Sequence, residues 1–204
     1  MDNLLNNNLK INKISDSIIV VDDILDNSVV NFLRLRMQTA KEFEDHYRDY
    51  AAINYTYNND KFTADLSNEL INRFKLNDFK RAWSFIYDNI AKGVGFHADP
   101  SSVNVNIWVT PEKSLLDKTK NGLLIVNKKP PDDWIREQWN GNKDGCIDKL
   151  LQKEKHEVTR IDYKCNRAVF FDGALFHATD DVSTKYGDYN RRVSYTMLFG
   201  NPVK

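Results

Sequence analysis

A strict alternation of apolar and polar residues marks the middle of the chain. In residues 103–109, valine and isoleucine occupy every second position, and Asn104, Asn106 and Trp108 lie between them. Because successive side chains of a strand point to opposite faces, this segment predicts a strand with two different environments. Further strands are predicted over short apolar runs at 17–23, Leu123–Val126, 168–171 and Val193–Phe199.

Helical periodicity is concentrated before residue 90. Asp26 can cap a helix that starts at Asn27, and apolar residues at helical spacing continue this helix to about Phe43. Two more helices are predicted over residues 65–75 and 78–90. The first part of the chain is therefore expected to be mostly helical, apart from one early strand.

One segment without a strand pattern interrupts the later strands. It spans residues 128–155, opens with two prolines, carries Trp134 and Trp139, and contains a predicted helix near residues 146–155. Long insertions in compact domains commonly cover or bind ligands. We therefore expect this insertion to be a mobile lid over a binding site.

The order of these elements predicts the fold class. Helices followed by strands favour a mainly β fold in which N-terminal α-helices brace a β core. The number of strands is typical of a double-stranded β-helix, the jelly-roll barrel of the cupin type. Neither a repeat nor a flexible linker divides the chain, so residues 17–204 are predicted to form a single domain after a loose segment at 1–16.

Composition and charge narrow the class of protein. The 204 residues are 41% hydrophobic, which is enough to build a core. Lys and Arg number 29, as do Asp and Glu, so the chain lacks the positive field that favours nucleic-acid binding. No apolar run approaches the ~20 residues of a membrane span. Without a signal-peptide pattern, a cytoplasmic protein with reduced Cys146 and Cys165 is expected, its oligomeric state left open.

Two of the four histidines stand where a metal site can form. His97 and Asp99 are separated by one residue, so in an extended segment both side chains point to the same side. His177 follows an apolar strand and a glycine turn much later in the chain. Two imidazoles and one carboxylate leave open positions on a metal, as in non-haem Fe(II) oxygenases. The same donors also serve zinc hydrolases, so this pattern alone does not fix the metal.

A pair of neighbouring arginines provides a second signal. Alternation along the last predicted strand places Arg192 on one face with Ser194 and Thr196, and Arg191 on the opposite face. A guanidinium that points inward beside hydroxyls is a receptor for a small carboxylate, because its fork binds both oxygens. Arg191 is expected to be a solvated surface charge.

The combination His97-x-Asp99, His177 and Arg192-x-Ser194 resembles the Fe(II)- and 2-oxoglutarate-dependent oxygenases. The resemblance implies that the first three residues bind Fe(II), and that Arg192 and Ser194 hold the distal carboxylate of 2-oxoglutarate. It also implies that O2 is consumed and that substrate oxidation is coupled to decarboxylation of 2-oxoglutarate to succinate. In related halogenases a small residue replaces the metal carboxylate. Because Asp99 is present, hydroxylation is expected instead.

The resemblance extends over roughly residues 17–200 and suggests two further contacts. Asn106 is expected either to hydrogen-bond the cosubstrate or substrate, or to line a solvated edge. Tyr87 lies close to the position where many relatives have a tyrosine that touches 2-oxoglutarate. The substrate is expected to be a peptide side chain or a small metabolite. The alternative is a cupin-like metal-binding protein, or a metalloenzyme that does not use 2-oxoglutarate.

Overall fold

Two antiparallel β-sheets enclose the centre of the computed structural model, which describes residues 3–39, 46–47, 51–54 and 60–201. The strands are β1 (Lys10–Ser15), β2 (Ile18–Asp22), β3 (His46–Tyr47), β4 (Ala51–Asn54), β5 (Phe79–Tyr87), β6 (Ile90–Ala91), β7 (Val103–Trp108), β8 (Leu123–Val126), β9 (Val158–Ile161), β10 (Arg167–Phe171), β11 (His177–Thr179), β12 (Val182–Ser183) and β13 (Val193–Phe199). The helices are α1 (Asn27–Thr39), α2 (Lys61–Phe74), α3 (Arg136–Trp139) and α4 (Cys146–Lys153). The predicted mainly β fold is confirmed.

The chain passes back and forth between the two sheets. The larger sheet has the order β1-β2-β10-β7-β13-β5-β4-β3, and the smaller sheet has the order β11-β8-β9. From β7 onward the chain visits the larger sheet, then β8 and β9 of the smaller one, then β10, β11 and β13 in turn. This crossing is the double-stranded β-helix that the sequence predicts, and it makes the two sheets face each other across an interior.

The segment at 78–90 is a strand, so the prediction of a helix there is wrong. It forms β5, which pairs with β13 and β4 in the larger sheet. One face of β5 carries Trp83, Phe85 and Tyr87, and the other carries small or aliphatic residues that are buried against the helices. Aromatic residues at alternating positions favour a strand, but a short run that is apolar on both faces also fits a helical period.

The N-terminal segment that the sequence predicts to be loose contacts the rest of the fold over residues 3–16. Leu4 and Leu5 are buried, and the backbone N–H of each donates to the Glu69 carboxylate at 2.9 Å. Strand β1 pairs antiparallel with β2 at the edge of the larger sheet. All six side chains of β1 are exposed, so backbone hydrogen bonds hold this strand in the sheet. Its sequence therefore lacks the apolar pattern from which a strand can be predicted.

Helices α1 and α2 cover the outer face of the larger sheet. Leu33 and Met37 of α1, with Leu66 and Leu70 of α2, share one core with residues of β5, β7 and β13. Asp60 caps α2 by accepting a hydrogen bond of 2.7 Å from the backbone N–H of its third residue. The predicted bracing helices are thus present, although the expected end of α1 lies outside the described residues. No described helix is both long and apolar enough to cross a bilayer.

The insertion at 128–155 is docked against the smaller sheet. Ile147 on the inner face of α4 is fully buried, together with Ala98 and Phe176. The backbone N–H of Ala98 donates to the carbonyl oxygen of Trp139 at 2.8 Å. The inner face of this segment therefore supports Ala98, the residue between His97 and Asp99, and its role as a mobile lid stays a prediction.

Both cysteines are free thiols, as the sequence predicts. Burial raises the pKa of the Cys165 thiol to about 11, and the negative charge of Glu112 acts in the same direction. Cys165 is therefore a protonated thiol at neutral pH and a poor nucleophile. Neither cysteine lines the cavities described below.

Candidate active site

The three residues of the proposed metal triad converge at one point between the sheets. Potential ligand atoms of His97, Asp99 and His177 all lie within 4.8 Å of one another. The two histidines form an antiparallel bridge in which each backbone N–H donates to the carbonyl of the other, at 3.0 and 2.8 Å. The backbone N–H of Asp99 donates to the carbonyl of Gly173 at 2.8 Å. Backbone pairing, rather than side-chain contact, therefore sets the separation of the ligands.

Both imidazoles are held in the orientation that metal binding needs. Nδ1 of His97 donates to the carbonyl of Gly95 at 2.8 Å, and Nδ1 of His177 donates to the carbonyl of Leu175 at 2.9 Å. A carbonyl oxygen only accepts hydrogen bonds, so each Nδ1 carries the proton of the neutral ring. Each Nε2 is then left with a lone pair for a cation, which is the usual arrangement of metal-binding histidines.

Asp99 is a buried carboxylate with an amide on each side. Asn104 donates to its Oδ2 at 2.7 Å, while Asn140 approaches its Oδ1 at 3.5 Å and donates to the carbonyl of Ala98 at 2.9 Å. Burial alone raises the pKa of Asp99, but a hydrogen bond from His177, the charges that the two imidazoles carry when they are protonated, and a hydrogen bond from Asn104 lower it to about 2. Asp99 is therefore ionised at neutral pH.

A narrow inner cavity of about 30 Å³ extends from the triad between the sheets. Residues from both sheets line it, and they include all seven of the site residues that the sequence predicts: Tyr87, His97, Asp99, Asn106, His177, Arg192 and Ser194. The alternation along β7 and β13 therefore predicted correctly which side chains share a face.

Arg192 is 1% exposed and lies at this cavity inside an aromatic cage. Its guanidinium carbon is 4.9 Å from the ring centre of Tyr87 and 5.7 Å from those of Trp108 and Tyr163. Nε donates to the carbonyl of Asn121 at 2.8 Å, whereas Nη1 is buried without a hydrogen-bond partner. Within the described residues no carboxylate pairs with this cation. Ring faces and one carbonyl offset only part of the cost of burying the charge, so the site favours an anion.

The other predicted cosubstrate residues surround the guanidinium. Ser194 and Thr196 are buried on the same face of β13. The Thr196 hydroxyl donates to Oδ1 of Asn106 at 2.5 Å, which leaves the amide nitrogen of Asn106 as a donor toward the cavity. The Tyr87 hydroxyl shares a hydrogen bond of 3.2 Å with Thr179. The position of Tyr87 indicates that its ring holds the arginine in place.

Arg191 points away from the cavity, as the alternation predicts. Its Nη2 forms an ion pair of 3.0 Å with Asp88, whose side chain is 56% exposed, and its Nε donates to the carbonyl of Tyr87 at 3.0 Å. It is therefore a surface charge, but one that is paired rather than only solvated. Surface pairs of this kind contribute at most about 1 kcal/mol to stability.

The sequence analysis did not identify four residues that support the site. Asn104 and Asn140 flank the carboxylate, while Tyr163 and Asn121 hold Arg192. Asn121 has a positive φ of 71°, and the Asn-Gly dipeptide that it begins is a turn signal which could have drawn attention to it. The other contacts depend on how the insertion and connecting loops dock, which no local pattern encodes.

Neither a family model nor a curated protein matches the sequence, but solved structures match the fold. HygX from Streptomyces hygroscopicus, with nickel and 2-oxoglutarate bound, is 8% identical over 91% of this chain and 83% of that one, at a TM-score of 0.60. The α-ketoglutarate-dependent carbocyclase SnoK from nogalamycin biosynthesis is 8% identical, and the match covers 90% of this chain and 80% of SnoK at a TM-score of 0.61. A Pseudomonas putida prolyl-4-hydroxylase is 12% identical, and the match covers 92% of this chain and 94% of the hydroxylase at a TM-score of 0.57.

These similarities concern the fold, because identities of 8% and 12% are too low to carry function. 2-Oxoglutarate and α-ketoglutarate are the same compound, so HygX binds the compound on which SnoK depends. The chain therefore shares the double-stranded β-helix fold of the Fe(II)- and 2-oxoglutarate-dependent oxygenases and carries a His-x-Asp…His cluster within it.

Proposed function

We propose that this protein is an Fe(II)- and 2-oxoglutarate-dependent oxygenase. The observation that carries the proposal is the buried cation of Arg192, which lines the same cavity as the triad and whose Nη1 has no hydrogen-bond partner. A metal-binding barrel that takes no organic acid has no need of an anion receptor at this place. A buried charge is costly to maintain without a partner, so its presence favours the oxygenase over the cupin-like alternatives.

The donor set fits Fe(II). Two neutral imidazoles and one carboxylate on one side of a cation leave positions for a chelating cosubstrate and O2. The same set accepts Mn(II), Co(II), Ni(II) and Zn(II), which can replace iron in binding experiments. The nickel and 2-oxoglutarate in the structure of HygX support this assignment.

The roles of the protein side chains follow from their positions. His97, Asp99 and His177 would hold Fe(II), which together with 2-oxoglutarate and O2 supplies the oxidising power to attack a C–H bond, yielding succinate and CO2. Arg192 would bind the distal carboxylate through its unpartnered Nη1, with the hydroxyl of Ser194 as a second donor. The amide of Asn106 and the ring of Tyr87 complete the binding site.

Binding of 2-oxoglutarate requires the inner cavity to widen. Its volume of about 30 Å³ holds water molecules but not a five-carbon diacid. Trp83 and Phe85 form part of the wall that the inner cavity shares with a larger outer cavity, so small shifts of this shared wall can make room while both rings still line the outer cavity. The anion receptor is thus fixed while the opposite wall adapts.

Hydroxylation of a small metabolite or a peptide side chain is the proposed reaction. Asp99 occupies the third ligand position, which leaves no vacancy there for a halide. The same fold also supports carbocyclisation in SnoK, so the outcome depends on the C–H bond that the substrate presents. Neither the balanced charge nor the narrow site favours nucleic acid as a substrate.

Turnover tests the proposed function directly. With Fe(II), 2-oxoglutarate and O2, we expect the protein to form succinate, and formation to accelerate when a metabolite extract supplies the substrate. Mass spectrometry should show a product that has gained one oxygen atom. The His177→Ala variant is the control for succinate from free iron. Equal succinate formation by the wild-type protein and this control would contradict the proposal.

Metal affinity tests the geometry of the triad. His177→Ala should abolish stoichiometric Ni(II) binding in calorimetry. Gly173→Ala should weaken it by about 10–100-fold, as loss of a supporting contact does, because the new Cβ would lie 2.1 Å from Ser101 Oγ and 2.7 Å from Asn104 Oδ1 and displace the amide that holds Asp99. Gly95→Ala is the matched control, since no atom lies within 4 Å of its Cβ. An unchanged affinity of the His177→Ala variant for Ni(II) would contradict the proposed metal site.

The affinity of the Ni(II)-loaded protein for 2-oxoglutarate separates the two arginines. Arg192→Ala should raise the dissociation constant by about 30-fold or more, because a buried charge-assisted hydrogen bond to the carboxylate is lost. Arg192→Lys should restore only part of the affinity, since an ammonium lacks the fork. Ser194→Ala should have an intermediate effect, as expected for one lost hydrogen bond.

Arg191→Ala is the matched control for that series and should change the constant by less than about threefold, because its side chain forms a surface ion pair. A larger effect of Arg191→Ala than of Arg192→Ala would show that the binding face of β13 is assigned to the wrong side. If neither variant changed the affinity, the cupin-like alternatives would replace the oxygenase.

A further inference from the structure

An outer cavity of about 310 Å³ lies beside the triad, on the side away from Arg192. It shares part of its wall with the inner cavity, namely Trp83, Phe85, Val94, His97 and Asp99. Its volume is at the lower end of the range of small-molecule sites, ~300–1,000 Å³. A molecule in this cavity would lie directly beside the proposed metal.

Positive charge is concentrated on the wall of the outer cavity. Lys80, Arg81 and Arg136 line it, and among the residues that the structure describes Asp99, a proposed metal ligand, is the one acidic residue in its wall. Asp78 forms an ion pair with Lys80 at 2.7 Å, whereas Arg136 is exposed and forms no ion pair with any residue that the structure describes. The chain has zero net charge, so this concentration of cations is a local feature of the site.

The part of the wall between the arginines and the triad is apolar and aromatic. Arg81, Trp83 and Phe85 alternate along one face of β5, and the guanidinium carbon of Arg81 is 5.8 Å from the ring centre of Trp83. Leu198 pairs with Arg81 across the sheet and lines the same cavity. Flat apolar molecules pack well on such a surface, while the guanidinium at its end favours an anion.

From this arrangement we infer that the substrate is a small organic anion. The flat or apolar body of this substrate lies on Trp83 and Phe85 beside the proposed metal. Its carboxylate or phosphate ester is bound by Arg81 and Arg136, at the mouth of the outer cavity. Asn140 lines the same cavity beside Asp99. The inference rests on the proposed function and narrows the substrate from a peptide or metabolite to an anionic metabolite.

Three probes of equal ring size test the inference: phenylacetate, phenyl phosphate and the neutral phenylacetamide. Calorimetry is carried out on protein loaded with Ni(II) and saturated with 2-oxoglutarate, so that Arg192 is already occupied and no turnover occurs. The anionic probes should bind about tenfold or more tightly than phenylacetamide, as expected for a charge-assisted hydrogen bond. The preference should decrease as salt is added, because the arginines are partly exposed.

Arginine variants locate the effect. Arg81→Gln and Arg136→Gln should each weaken binding of phenylacetate by about fivefold or more, with phenylacetamide changed by less than about twofold. Arg73→Gln is the matched control, because Arg73 is exposed on α2 and lines neither cavity, and it should leave all three probes unaffected. Affinity for 2-oxoglutarate, measured in each variant, verifies that the folded site is retained.

The outcomes separate this inference from the proposed function. Equal binding of the three probes, with 2-oxoglutarate bound normally, would overturn the anionic substrate and leave the oxygenase intact. Failure of the wild-type protein to bind 2-oxoglutarate would overturn both. Tighter binding of phenyl phosphate than of phenylacetate would assign a phosphate ester to the mouth, and the reverse order would assign a carboxylate.

Discussion

The arrangement of the site depends on a buried cation for which the described part of the chain supplies no counter-ion. Arg192 is 1% exposed, three aromatic rings surround its guanidinium, and the carbonyl of Asn121 accepts from Nε, yet Nη1 is left without a partner. A protein gains nothing in stability from such a charge, because removal from water costs more than ring faces return. The remaining donor is satisfied when an anion enters the inner cavity. Under the proposed function, affinity for a carboxylate would therefore be obtained at the expense of the stability of the empty protein.

The fold brings this cation to the metal triad by joining two sheets. Arg192 precedes β13 in the larger sheet, while His177 begins β11 in the smaller one, and the chain crosses between them at each turn of the β-helix. The backbone bridge between His97 and His177 sets the distance between the imidazoles. Gly173 allows the close approach that places Asn104 on Asp99. The insertion packs against the segment that carries His97 and Asp99 from the outside, so these proposed metal ligands are supported on both sides.

The sequence predicted which side chains line the inner cavity better than it predicted the strands and loops that support them. Period-two alternation was sufficient to place Arg192 on the cavity and Arg191 away from it, because both residues immediately precede β13 and the pairing of β13 with β7 is regular from Ser194 to Thr196. It failed at β5, where apolar residues on both faces also suit a helix, and at β1, whose exposed side chains carry no pattern. Asn140 and Tyr163 could not be predicted, since they reach the site only through docking of loops that are distant in sequence.

The most direct measurement of the central claim is an anaerobic titration of the Fe(II)-loaded protein with 2-oxoglutarate, followed by visible absorption. Chelation of Fe(II) by the 2-oxo acid should produce a weak charge-transfer band that saturates with one Fe(II) per chain. Zn(II) has a filled d shell, so the same titration with zinc should give no band. Absence of the band with Fe(II), at 2-oxoglutarate concentrations that saturate the protein in calorimetry, would contradict the claim that the triad and Arg192 form one site.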